Sequence, residues 1–146
     1  MYLPLAHGLT LAVRGLGERV TGDMPIAMLP EIASSFRDFG GVGGSKSLRG
    51  VPGTRFLGNT RLLSSVELRW RTEHFQLFGQ RWRWGLVGFI DAGRVWLRDE
   101  EDGGSLHFGR GGGMRWTWDE NFIVSVDLAR GSETDLAVYV GLGHQF

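Results

Sequence analysis

The sequence predicts an all-β fold: an antiparallel meander of about six strands with one long inserted loop. Three observations carry this. Apolar residues recur with period two over most of the chain, short polar turns separate those runs, and helical spacing is scarce. The stretch closest to helical spacing, residues 24–36, is interrupted by Pro25 and Pro30. A chain of 146 residues makes one domain, 1–146, with a moderate core.

Taken in order, Leu9, Leu11 and Val13 alternate with polar or small neighbours near the start. A long loop follows, from about residue 23 to about residue 59, rich in Gly and Pro. In residues 62–71 one face carries Val66, Leu68 and Trp70, and the other Glu67, Arg69 and Arg71. In residues 82–96 Trp82, Trp84, Leu86, Ile90 and Ala92 oppose Arg83, Gly85, Phe89, Asp91 and Gly93. Residues 109–118 set Met114, Trp116 and Trp118 against Gly111, Gly113, Arg115 and Thr117. Residues 121–130 set Phe122, Val124, Val126 and Leu128 against Ser125, Asp127 and Ala129. The last run, 135–146, aligns Leu136, Val138, Val140, Leu142 and Phe146. Turns such as Asp119-Glu120 and Ser132-Glu133-Thr134 connect the later strands.

Such alternation fits a soluble half-buried sheet, and it fits a membrane barrel whose apolar face meets lipid while a polar, Gly-rich face lines a lumen. Strand length favours the barrel: runs of about ten residues match the ~9–11 of a tilted transmembrane strand rather than the ~5–6 of an average soluble one. The tryptophans at 70, 82, 84, 96, 116 and 118 sit toward strand ends, where an interfacial aromatic belt lies. Composition agrees, with 24 Gly, 6 Trp, and Lys46 as the sole lysine among 16 cationic residues. Formal net charge is zero, which gives no basic field for nucleic acid. The absence of Cys excludes disulfides and thiolate metal sites. No apolar run approaches the ~18 residues of a membrane helix, so a spanning reading has to use strands. The first residues, Met1 to Gly8, have no cationic start and no apolar stretch of signal-peptide type.

The stretch Gly40-Gly41-Val42-Gly43-Gly44-Ser45-Lys46-Ser47-Leu48-Arg49-Gly50 has the look of a phosphate-cradling loop. A P-loop, however, needs Gly directly before the Lys and a helix directly after it. Here Ser45 precedes Lys46, and Gly50 and Pro52 follow too soon for a helix.

Several motifs together resemble the C-terminal half of the Omp85 superfamily barrel, the group of BamA, TamA, bacterial surface antigens and two-partner secretion transporters. Leu48-Arg49-Gly50 resembles the family's Arg-Gly loop, which folds back into the lumen, although Val51 stands where an aromatic usually follows. Phe89-Ile90-Asp91-Ala92-Gly93 resembles its F-x-D-x-G strand motif, and Val66-Glu67-Leu68-Arg69 its glutamate-bearing strand. The final strand, with Val140, Gly141, Leu142 and Phe146, resembles the C-terminal assembly signal, with His144 at a position usually apolar or aromatic and Tyr139 standing in for a polar one. The resemblance implies an outer-membrane barrel portion without POTRA domains, in a bacterial outer membrane. It implies a role in outer-membrane protein assembly and insertion or polypeptide translocation, with lipid, unfolded client chains and assembly-machinery subunits as partners. It implies neither enzymatic activity nor a cofactor. An anchor barrel for an upstream enzyme of the patatin-like lipase type, and a soluble β-sandwich binding module, are the alternatives. With about six strands against the family's sixteen, the chain reads as part of a larger barrel.

Parity places Glu67 and Asp91 on the polar face, where Arg49 on its glycine-rich loop can reach both as a lumenal lock. Gly50, Gly85 and Gly93 are expected to leave room for the loop. No nucleophile or cofactor motif accompanies the two carboxylates, so they carry no catalytic reading. His7, His74, His107 and His144 lack metal-ligand spacing. Arg14, Arg69, Arg71, Arg83 and Arg115 read as lumen-lining cations, Asp127 as a lumenal polar residue, and Asp99-Glu100-Glu101-Asp102 as a loop tip.

Overall fold

The computed structural model describes residues 1–22, 25, 41–97, 104–119 and 122–144. Among the described residues eight strands form one antiparallel sheet: β1 (Tyr2–Ala6), β2 (Leu9–Arg19), β3 (Thr60–Arg71), β4 (Phe75–Leu77), β5 (Gln80–Trp96), β6 (His107–Trp118), β7 (Phe122–Gly131) and β8 (Ala137–Leu142). The strand order is β1-β2-β3-β5-β6-β7-β8, with β4 paired to the start of β5 and the two ends of the sheet left open. The six runs of alternation correspond to β2, β3, β5, β6, β7 and β8. β2 runs on to Arg19, well past Val13, because its later residues pair continuously with β3, ending at Arg19 opposite Thr60.

The two short strands lie outside the period-two runs. β1 carries Pro4, which has no N–H to donate and is tolerated here because β1 is an edge strand with a register shift between Pro4 and Ala6. β4 is closed onto β5 by Phe78-Gly79, both at positive φ (55° and 74°), which is the backbone twist of a two-residue hairpin turn. Phe78 is an unusual residue for that job, so the turn carries no Asn-Gly or Asp-Gly signal. The proline-interrupted stretch 24–36 apart from Pro25, the acidic run 99–102 and Phe146 lie outside the described residues.

The two faces of the sheet are inverted relative to a soluble protein. On the outward face Leu62, Val66, Leu68, Leu86, Ile90, Phe108, Leu128, Val138 and Val140 are exposed, Ile90 at 61 % and Val140 at 73 %. The opposite face buries Ser65, Glu67, Asp91, Arg115 and Asp127. Register stacks this polar row across the strands: Ser65 faces Asp91 on β5, Asp91 faces Gly109 on β6, and Asp127 on β7 faces Gly113 on β6. The apolar core is small and lies on that same face. Val42, Leu48 and Val51 from the long loop pack with Leu63 and Val95, while Val87, Phe89 and Ala129 form a second group beneath.

The β1–β2 turn and the strand ends Trp118 and Phe122 lie at one end of the sheet, whereas the strand ends Arg19, Thr60, Trp96 and His107 and the β7–β8 connection lie at the other. In outer-membrane barrels the short turns are periplasmic and the long loops extracellular.

Candidate functional site: a loop tip seated on a carboxylate cluster

The loop from Gly41 to Asn59 returns over the polar face as a compact unit. Val42 and Phe56 exchange backbone hydrogen bonds at 2.8 and 3.1 Å, and Gly44 N–H donates to the Val51 carbonyl at 2.9 Å. The Ser47 hydroxyl donates to the Gly43 carbonyl (2.8 Å) and accepts from the Gly43 N–H (2.9 Å), closing the tip. Gly50 has φ +84°, a left-handed conformation that a side chain at this position would strain.

This closure directs Arg49 into the sheet with no solvent exposure. Its Nε lies 2.7 Å from Asp91 Oδ2 and its Nη2 3.0 Å from Asp91 Oδ1, a two-pronged contact that its backbone N–H extends at 3.3 Å. Nη1 sits 2.8 Å from Glu67 Oε1 as an ion contact and 3.3 Å from Asp127 Oδ2. Beneath it the Phe89 ring centroid is 3.3 Å from Cζ, so an aromatic face supports the cation from below.

Each carboxylate is held a second time. Ser65 Oγ donates to Asp91, Arg69 binds Glu67 Oε2 at 2.6 and 2.7 Å, and Arg115 binds Asp127 through both terminal nitrogens. Three guanidinium groups thus meet three carboxylates, with Arg49, Glu67 and Asp91 fully buried, and this mutual pairing is the condition under which buried charges are tolerated. Burial opposes the charge on Arg49, but the hydrogen bonds and charge of Asp91, with Glu67 and Asp127, hold its pKa above the ordinary arginine value.

Glycines provide the room. A Cβ on Gly109 would lie 1.7 Å from the Arg49 carbonyl oxygen, and one on Gly131 2.2 Å from the Gly50 carbonyl oxygen. The tip therefore lies flat against β6 and β7. Tyr139 on β8 completes the seat: its hydroxyl accepts from Gly50 N–H (3.0 Å) and donates to the Val51 carbonyl (3.3 Å).

Arg49, Glu67 and Asp91 meet in this cluster, with Gly50 beside them. Gly93 lies under the tip, where a Cβ would come 3.3 Å from Val42 and 3.5 Å from Leu48. Gly85 does not leave room for the loop: it faces the Trp70 carbonyl on β3, because the loop tip covers the other end of β5. Val140, Gly141 and Leu142 lie on the open-edge strand β8. Sequence reasoning undervalued Asp127, Phe89 and Tyr139 and passed over Ser65, Gly109 and Gly131. Parity and the run of glycines on β6 are the signals that point to them.

Below the cluster, toward the short turns, a cavity of about 530 Å³ opens among Arg69, Arg71, Arg83, Arg115 and His144. The other histidines are dispersed: His7 pairs with Glu73, His74 contacts Arg83, and His107 stacks on Phe56 at 3.8 Å.

The Omp85 superfamily domain matches residues 15–146, from the second half of β2 to the end of the chain. No curated protein and no solved structure matches the chain. With nine-tenths of its length covered by that domain, an inverted sheet and a loop returned onto the polar face, the chain belongs to the Omp85 superfamily.

Proposed function

We propose that the chain is the C-terminal part of a bacterial outer-membrane barrel whose parent assembles outer-membrane proteins or moves polypeptide across the membrane. On this reading Arg49, Gly50, Glu67, Asp91 and Gly93 form a lumenal lock. β8, with Val140, Gly141 and Leu142, provides an edge on which a client strand is templated, and together with the terminal Phe146 of the sequence it provides the assembly signal. The observation that carries the reading is the Tyr139 bridge, which ties the locked loop tip directly to the open-edge strand. Backbone pairing at such an edge supplies affinity without demanding a client sequence. The partners are then membrane lipid, unfolded client polypeptides and assembly-machinery subunits, and the work requires neither catalytic chemistry nor a cofactor.

The test is site-specific crosslinking in the native membrane. This sequence has no Cys, so a Val140→Cys variant places a single thiol in it, on β8. Disulfide capture of an incoming barrel precursor carrying a Cys in its last strand is the expected result. Capture that depends on the precursor's terminal strand supports assembly, and capture of a secreted chain supports translocation. A barrel that traps neither, while supporting the activity of an enzyme module in the same polypeptide, contradicts the reading and makes the barrel an anchor.

A further inference from the structure

Two arginines stand face to face on the outward, apolar side of the sheet. Arg110 on β6 and Arg130 on β7 are directly opposite each other in the register, both exposed, with Phe108 and Leu128 exposed on the same face. Like charges facing each other across strands are destabilising, and arginine on a lipid-facing surface is costly in proportion to its depth. Among the described residues the pair's one carboxylate contact is that of Arg130 with Asp135 at 2.9 Å, between two exposed side chains where such a bridge contributes little.

Position in the bilayer gives the pair a purpose. Arg110 lies eight residues along β6 from Trp118, which stacks on Trp82 at the end of the short turns. At ~3.3 Å per residue and a tilt of ~45°, that is ~19 Å up an apolar band ~25 Å tall. The guanidinium groups therefore sit near the outer rim of the band, within reach of headgroup phosphates. Shallow grooves of about 420 and 440 Å³ flank them, the first lined in part by Ile90 and Phe108 and the second by Leu128 and Leu136.

We infer that Arg110 and Arg130 form a binding site for the phosphate-monoester headgroup of an outer-leaflet lipid, whose acyl chains lie in the two grooves. Charge complementarity names the occupant. A phosphate dianion between two planar guanidinium forks accepts paired hydrogen bonds from each and removes their mutual repulsion. A zwitterionic headgroup carries its own cation and gains far less.

The inference rests on the membrane-spanning reading. Full-length protein folded in detergent is mixed with phosphatidic acid or with phosphatidylcholine, and retained lipid is counted by native mass spectrometry. Preferential retention of phosphatidic acid is expected, weakened about fivefold by each of R110Q and R130Q. R71Q, at the other end of the barrel, leaves retention unchanged. Protection of Lys46 from a lysine-specific protease reports that each variant has folded. Equal retention of the two lipids, or retention indifferent to both substitutions, overturns the inference while leaving the barrel intact. Failure of the protein to insert into vesicles overturns the membrane reading and this inference together.

Discussion

Asp91→Ala is the perturbation that the lock feels most. The carboxylate accepts three contacts from Arg49, at 2.7, 3.0 and 3.3 Å, and a fourth from Ser65, all without solvent exposure. Its removal leaves Arg49 buried with only Glu67 and Asp127, and breaking a buried pair by deleting one partner costs ~3–5 kcal/mol. The open population of the loop then rises by roughly two to nearly four orders of magnitude. Lys46 provides the readout, since it is the sole lysine of the chain and sits exposed at the tip, immediately before the buried run Ser47 to Val51. A lysine-specific protease needs that run extended to cut after Lys46. Where opening and closing are fast relative to cleavage, the rate follows the open population. Asp91→Ala is therefore expected to be cut at least a hundredfold faster than the wild-type chain, giving fragments 1–46 and 47–146. Cleavage at the wild-type rate refutes the lock.

Four further outcomes follow from the same geometry. Gly109→Ala, whose Cβ would collide with the Arg49 carbonyl, accelerates cleavage at Lys46, whereas Gly88→Ala, with nothing within 4 Å, leaves the rate unchanged. Tyr139→Phe removes the hydroxyl shared by Gly50 and Val51 and weakens the seat by about 1–3 kcal/mol, read as a faster cut in the same assay. Alkaline pH leaves the lock closed. A pKa raised on folding contributes stability that is fully present below the unfolded value, so protection is unchanged from pH 7 to pH ~9, far below the ordinary arginine range. Leu68→Arg lowers folding stability in vesicles by ~2–4 kcal/mol if the outward face meets lipid, since its partner Gly88 lies six residues along β5 from Trp82 and so near mid-bilayer, measured by urea titration. No loss there contradicts the assignment of that face.

The sheet was legible because alternation is a local signal. A two-residue period puts Glu67 and Asp91 on one face whatever they touch, and a glycine-rich loop ending in Arg49 identifies a cation able to reach them. The remainder of the cluster depends on contacts far apart in sequence. Arg49 meets Asp127 across 78 positions, and Tyr139 meets the loop across 88. Parity admits such residues to the polar face but does not rank them. The short strands were hidden for local reasons, Pro4 in β1 and the Phe78-Gly79 turn after β4. Val51 shows a substitution absorbed by packing: the valine is fully buried with Val42 and Leu48, and the ring supporting Arg49 comes from Phe89 on the sheet.

The central claim is that the apolar face of this sheet meets lipid and the polar face a lumen plugged by its own loop. Single spin labels at successive β3 positions from Leu62 to Leu68, introduced into the cysteine-free sequence in vesicles, test it most directly through collision with oxygen and with a water-soluble nickel complex. Oxygen access is predicted to peak at Leu62, Val66 and Leu68, with residues 63, 65 and 67 shielded from both reagents. A soluble sheet gives nickel access at the outward positions instead, and that result would contradict the account.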